Sequence, residues 1–273
     1  MGSPLRALLR LAGYLGWTGL LVPVQALGLA FGFGYAKRLP AMYHRVACRI
    51  LGLDIEILGE ICTRPPVLFI SNHASYLDIP VLGSLVPGSF VAKAEVAGWP
   101  MFGLLAKLQR TVFVDRRIAT AIDQRDEIAN RLSGGENLIL FPEGTSGDGN
   151  RLLPFKSALF GAAFAGVGDG PITVQPVSVA YTKLDGMPLG RSLRPFFAWY
   201  GAMDMMPHVW RMLGLGQLGV TVRFHAPITT ADHASRKALS EYCYGTIRRG
   251  LAHSLAGRPT SEVTAAPAAA ALL

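Results

Sequence analysis

A histidine and an aspartate five residues apart can form a general base and the carboxylate that orients it. His73 and Asp78 stand that way in Asn72-His73-Ala74-Ser75-Tyr76-Leu77-Asp78. The pair follows Val67 to Ser71, an apolar run that reads as a strand, so the imidazole belongs just past a strand end. With one ring N–H held by the aspartate, the other nitrogen can take a proton from a substrate hydroxyl. This is the logic of the serine triad with the substrate in place of the serine. The same spacing has a structural reading, because Ser75 followed three residues later by Asp78 fits a capping box at a helix start. From the pair alone both readings stand.

Three more stretches bear on chemistry. Phe141-Pro142-Glu143-Gly144-Thr145-Ser146 follows a second apolar run and places an acid, a glycine and two hydroxyls at a sheet edge, where α/β folds bind ligands. Gly144 lets a ligand approach the backbone; the alternative is a plain turn continued by Gly147-Asp148-Gly149-Asn150. Val112-Phe113-Val114-Asp115-Arg116-Arg117 runs a strand into a basic pair whose guanidinium forks suit phosphate or carboxylate, or are simply solvated. Val174-Gln175-Pro176-Val177-Ser178-Val179 has no chemistry of its own, and its proline predicts a sheet edge or a bulge beside a groove.

In this order and at these spacings the four stretches resemble the glycerolipid acyltransferase family typified by lysophosphatidate acyltransferase. That family carries Asn-His-x-x-x-x-Asp, then Phe-x-Asp-Arg, then Phe-Pro-Glu-Gly-Thr, then a proline-containing strand. The resemblance extends over residues 40–225, and it includes Val91-Ala92-Lys93-Ala94-Glu95, Gly98-Trp99-Pro100 and Pro154-Phe155-Lys156. It implies His73 as general base and Asp78 as its orienter. Arg116 would bind the acceptor's polar head, Glu143 and Gly144 would shape the acceptor site with Thr145 beside them, and Lys93 and Lys156 would contact the head group or donor. It also implies an acyl thioester donor, on acyl carrier protein or coenzyme A, with no metal, no cofactor and no obligatory acyl-enzyme.

One departure bears on the acceptor. Many members have an arginine right after Glu-Gly-Thr, read as a phosphate contact; here Ser146 takes that place and Arg151 is the next basic residue. Phe141 to Phe155 and Phe196-Phe197-Ala198-Trp199-Tyr200 also resemble the lyso-ornithine lipid acyltransferases, whose acceptor bears an amino-acid head. The acceptor is thus lysophosphatidate or lyso-ornithine lipid.

The elements that must position these residues read as an α/β domain. Strands are expected at Leu53–Leu58, Val67–Ser71, Ser89–Ala92, Thr111–Val114, Leu138–Phe141, Ile172–Tyr181 and Val220–Phe224. Helices are expected at Tyr76–Val86, Ala119–Leu132, Lys156–Val167 and Arg236–Leu255. The expected fold is a single acyltransferase domain over residues 51–256, a mixed, mostly parallel sheet flanked by helices. An N-terminal apolar anchor over 1–50 precedes it, and a disordered Ala-rich tail over 257–273 follows.

The anchor is read from charge. Among 273 residues 51% are hydrophobic and only 16% charged, so the chain either buries much of itself or sits partly in lipid. No acidic residue precedes Asp54, whereas Arg6, Arg10, Lys37, Arg38, Arg45 and Arg49 do, a basic face suited to an anionic membrane. Leu11 to Ala36 runs 26 residues without charge, but Pro23 and six glycines predict a break within it. A tilted span, a kinked anchor entering one leaflet and a signal peptide cleaved near Ala26-Leu27-Gly28 all fit. Past Pro40, Met42, Val46 and Ile50 form an apolar stripe beside Arg45 and Arg49, which fits a helix in the interface or one packed on the domain. The expected location is the cytoplasmic side of the inner membrane, with membrane lipids as partners.

Met203 to Leu215, rich in Met and Trp, could dip into the interface, line an acyl groove or fill the core. Cys48, Cys62 and Cys243 form neither a disulfide framework nor a zinc spacing, and His225 reads as structural. There is no Gly-x-Ser-x-Gly elbow, no phosphate loop, no His-Glu-x-x-His and no nucleic-acid motif around the net charge of +8. Two other classes use the same residues: a lipid hydrolase, with water replacing the acceptor, and a lipid-binding protein without turnover.

Overall fold

The computed structural model describes residues 2–114, 121–164 and 170–257. Its strands are β1 (Leu53–Leu58), β2 (Val67–Ser71), β3 (Ser89–Lys93), β4 (Val112–Val114), β5 (Leu138–Leu140), β6 (Thr173–Leu184), β7 (Met187–Pro188), β8 (Leu218–Phe224) and β9 (Ile228–Thr229). They form one sheet in the order β1-β8-β6-β2-β5-β3-β4, with β7 and β9 paired to β6. From β6 through β4 all pairs are parallel; β8 runs antiparallel to β6 and carries β1 parallel to itself. The sheet is therefore mixed and mostly parallel, as expected.

Both faces of the sheet are covered, which is why β2 is buried at every residue. Val67 and Phe69 point to a core with Leu77, Val81 and Leu82, while Leu68 and Ile70 point to one with Leu132, Leu239 and Ile247. A fully buried Leu, Val or Phe side chain contributes about 1.5–3 kcal/mol, so these alternating positions fix the register of β2. The helices are α1 (Pro4–Ala30), α2 (Leu39–Leu51), α3 (Asp78–Leu85), α4 (Phe102–Leu108), α5 (Ala121–Ser133), α6 (Met205–Gly214) and α7 (Arg236–Leu255). α3 packs on α2 at Gly83, where a Cβ would stand 2.5 Å from the His44 ring.

Three expectations need correction. First, α1 is one helix that passes through Pro23 without a break. Polar side chains dock the helix on either side of the proline. Trp17 Nε1 donates to the Tyr43 carbonyl at 3.2 Å and the Thr18 and Tyr43 hydroxyls lie 3.0 Å apart. Gln25 Nε2 donates to the carbonyls of Ala36 at 3.0 Å and Leu108 at 2.9 Å. α1 lies along α2, α4 and α6, so the N-terminal helix packs on the other helices of the chain. Arg10, expected on a basic membrane face, donates instead to the carbonyls of Leu213, Leu215 and Gly216 and caps the end of α6.

Second, Pro176 lies in a central strand and at no edge. On one side of β6 the partner changes from β9, paired as far as Val174, to β8, paired from Val177. The Pro176 carbonyl accepts from the His225 N–H at 3.0 Å, which turns the proline nitrogen toward that break, where no ladder bond is lost. Third, the expected helix at Lys156–Val167 is, in its described part, a 3-10 segment over Ser157–Phe164. The tail from residue 258 and the basic pair Arg116-Arg117 lie outside the described residues.

Candidate active site

Parallel pairing brings the motifs together. β2 lies between β5 and β6, and β5 between β2 and β3, all running the same way, so the segments after β2, β3 and β5 meet at one carboxyl edge. His73 follows β2, Lys93 ends β3, and Glu143 to Ser146 follow β5. This is the edge where open α/β sheets place ligands.

At that edge His73 Nδ1 lies 2.8 Å from Asp78 Oδ2, with the histidine side chain 21% exposed and the aspartate fully buried. A carboxylate only accepts, so Nδ1 carries the hydrogen and Nε2 is left as the basic nitrogen. Asp78 Oδ2 also accepts from the N–H groups of Ala74 at 2.7 Å and Ser75 at 3.0 Å. The capping box expected at Ser75 does not form: α3 begins at Asp78 with Leu77 as its N-cap and no side-chain cap, and the Ser75 N–H bond instead closes the turn just before the helix, on the oxygen that also meets the imidazole. The other oxygen, Oδ1, accepts from the Tyr181 hydroxyl at 2.6 Å. The His73 ring stacks on Phe141, centroids 4.3 Å apart at 22°.

The loops around the pair are fixed by backbone bonds. Asn72 Nδ2 donates to the Val179 carbonyl at 2.9 Å while its Oδ1 accepts from the Val179 N–H at 2.8 Å, which ties the end of β2 to β6. Glu143 Oε1 accepts from the His73 N–H at 2.7 Å and Oε2 from the Leu153 N–H at 2.8 Å. Burial raises the Glu143 carboxyl to about 7 against the pull of those two donors. Glu143, expected among the substrate contacts, is 3% exposed and spends both oxygens on backbone, so it shapes the site by holding His73 in place.

A cavity of about 1070 Å³ opens on His73. Lys93, Gly144, Thr145, Ser146 and Lys156 line it, whereas Asp78 and Glu143 stand behind its wall. Gly144 has φ +65°, and a Cβ there would lie 2.6 Å from Lys156 Nζ. The Ser146 hydroxyl donates to the Trp199 carbonyl. Most of the wall is apolar, and α1, α2, α4 and α6 contribute to it Leu15, Val22, Leu105 and Met212 among others. Met205, Met206, Val209 and Leu213 of α6 join that wall while Trp210 is exposed outside it, so this helix serves cavity and surface together. Arg116 lies outside the described residues. Among the described residues no cluster of His, Cys, Asp and Glu could hold a metal ion. His225, read as structural, lies 3.2 Å from the Ser178 hydroxyl and is pushed down to about 4 by burial, away from the cavity.

Two contributors had not been singled out from sequence. Tyr181 lies in a β-rich run, and a tyrosine within an otherwise apolar strand is the signal that a hydroxyl there needs a polar partner; it is 2% exposed. Asn72 precedes the histidine at the end of β2, and an amide at a strand end is a ready mimic of a ladder bond.

The acyltransferase family model matches residues 54–180, a span that includes His73, Asp78 and Glu143 and stops one residue short of Tyr181. A lyso-ornithine lipid O-acyltransferase from Brucella abortus is 44% identical over 246 residues, covering 89% of this chain and 92% of that one. This chain belongs to the acyltransferase family. A second lyso-ornithine lipid O-acyltransferase, from Rhizobium meliloti, is 44% identical to this acyltransferase over 255 residues, covering 92% of this chain and 87% of the other. The fold matches the crystal structure of the 1-acyl-sn-glycerophosphate acyltransferase from Thermotoga maritima, with a TM-score of 0.67 at 21% identity, over 94% of this acyltransferase and 98% of that chain.

Proposed function

We propose that this acyltransferase moves a fatty acyl group from a thioester, on acyl carrier protein or coenzyme A, to the hydroxyl of lyso-ornithine lipid, with His73 as general base. The observation that carries the reading is the His73–Asp78 pair, 2.8 Å apart, with its imidazole on the wall of an apolar cavity large enough for acyl chains. Nε2 takes the hydroxyl proton as the oxygen attacks the thioester carbonyl. The tetrahedral intermediate collapses, the C–S bond breaks, and the leaving thiolate takes the proton from the imidazolium. Asp78 keeps the ring in the needed tautomer and balances its positive charge. Lys156, beside Gly144, and Lys93 supply positive charge on the cavity wall for the head group or donor. Arg116 is the further candidate for the head group.

Two features support lyso-ornithine lipid over lysophosphatidate. Ser146 stands where a phosphate contact was expected and its hydroxyl is committed to Trp199, and both relatives at 44% identity bear that name. Attachment to membrane lipids at the cytoplasmic face of the inner membrane completes the proposal. α1 is 27 residues long and apolar enough to cross a bilayer. Its outer side exposes Leu5, Leu8, Leu9, Leu20 and Leu27, with Arg6, Lys37 and Arg38 exposed near its ends.

The test offers purified protein lyso-ornithine lipid and lysophosphatidate side by side, with acyl carrier protein and coenzyme A thioesters. Acylated ornithine lipid, lost in His73→Ala with the fold intact, is the expected result. Full activity in that variant sinks the base, exclusive use of lysophosphatidate sinks the acceptor, and release of free fatty acid alone makes the protein a hydrolase.

A further inference from the structure

Beside His73 the cavity carries an aromatic corner. Tyr76, Trp99 and Trp199, from three separate segments, all line it. The Trp99 and Trp199 rings are 6.0 Å apart at 87°, and the Tyr76 and Trp199 rings 6.3 Å apart at 60°. Trp199 is tied to the catalytic loop, since its N–H donates to the carbonyl of Ala74, next to His73, at 2.9 Å. Its carbonyl accepts from the Ser146 hydroxyl, and its indole Nε1 donates to the Met203 carbonyl at 2.9 Å. Tyr76 is held too. His208 Nε2 lies 3.1 Å from the Phe196 carbonyl, which only accepts, so Nδ1 accepts the Tyr76 hydroxyl at 3.1 Å. Burial lowers the His208 value, in keeping with a neutral ring.

Trp199 and Tyr76, held by these polar bonds, are poorly suited to moulding themselves around a flexible acyl chain, and the apolar wall from α1, α2 and α4 offers that chain its own place; the Trp99 indole joins them through its contact with Trp199. A ring face is negative: it attracts an ammonium and repels a phosphate. Glu95 is the acidic residue among the described residues lining the cavity, and it lies four positions before Trp99. We infer that Trp99, Trp199 and Tyr76 form a subsite for the primary ammonium of the acceptor's amino-acid head, with Ser146 serving as the tether of Trp199. The inference rests on the proposed lyso-ornithine acceptor, whose head presents a side-chain ammonium and a carboxylate. Lys156, which lines the same cavity beside Gly144, suits the carboxylate.

The experiment compares three acceptors with the full-length protein: lyso-ornithine lipid, its side-chain N-acetyl derivative, and lysophosphatidate. Acetylation removes the charge and keeps the chain. A cation held on aromatic faces predicts a kcat/KM ratio of roughly 3- to 30-fold in favour of the free amine. Trp99→Leu, at a ring that is 37% exposed, and Trp199→Phe, which keeps a ring, should each bring that ratio down toward one. The ratio is internal to each variant, so partial loss of folded protein does not affect it. A ratio of one in the wild type, or a ratio that neither substitution changes, overturns the subsite and leaves the acyltransferase reading standing. Turnover of lysophosphatidate with none of lyso-ornithine lipid overturns both.

Discussion

The Tyr181 hydroxyl donates to Oδ1 of Asp78 at 2.6 Å, across 103 residues of chain. The carboxylate thereby has donors on both oxygens: Tyr181 on one, and His73, Ala74 and Ser75 on the other. A hydrogen bond to a charged group contributes about 1.5–3 kcal/mol, and a buried carboxylate missing one can turn. Tyr181→Phe keeps the ring in its packing and removes only the donor. The expected outcome is kcat lower by roughly tenfold with KM little changed, because Tyr181 positions Asp78 and touches no substrate. Steady-state kinetics decide this, and an unchanged kcat would show that Asp78 is held well enough without it.

Glu143 gives a pH dependence of stability. Its carboxyl rises from 4.5 to about 7 in the folded protein, chiefly through burial. The native state then holds this proton more tightly than the unfolded chain. The contribution is fully present below about pH 4.5 and is lost as the pH rises to about 7, a swing on the order of 2–3 kcal/mol. Glu143→Gln cannot ionise, so urea unfolding over that range should show a flatter stability curve than the wild type. Parallel curves would mean another group is responsible.

Ser146→Arg tests the head-group position directly. The substitution cuts the tether to the Trp199 carbonyl and adds a guanidinium to the cavity wall. Use of lysophosphatidate relative to lyso-ornithine lipid should rise by about tenfold or more, the worth of one charge-assisted pair. An unaltered preference would remove the argument from the missing arginine.

The N-terminal helix should not be separable. Gln25, 5% exposed, bonds to Ala36 and Leu108, and Arg10 closes the end of α6. Gln25→Ala should cost about 1–3 kcal/mol in detergent, the penalty for two buried carbonyls left without donors. Deleting residues 2–30 should yield aggregated, inactive protein, since it strips one wall from the cavity. A soluble, active truncation would restore the picture of a detachable anchor.

What could be read from the sequence follows contact distance. His73 and Asp78 are five residues apart on one turn, so their pairing was visible, as was α7, whose expected limits match those found. Glu143 meets the His73 N–H only because β5 lies beside β2, and Tyr181 meets Asp78 only because β6 lies on the other side. Strand order decides those contacts, and no local pattern encodes it. Pro176 is read by its missing donor, and it sits where the change of partner strand leaves that donor unneeded; Pro23 is read the same way, yet α1 continues through it. The apolar stretch before residue 37 was recognised, but its side-by-side docking depends on Trp17, Thr18 and Gln25, polar residues that the hydropathy pattern passes over.

Because one oxygen of Asp78 orients the imidazole and also closes the turn just before α3, the two residues of the pair should age differently in descent. A lineage that abandons catalysis for lipid carriage can drop the imidazole at position 73 with little structural penalty. Dropping the carboxylate at 78 would loosen the turn and strand the Tyr181 hydroxyl in the core. Retired members of this fold should therefore carry the mark of retirement at the histidine and keep the aspartate, and a survey of inactive homologues showing the reverse would refute that asymmetry.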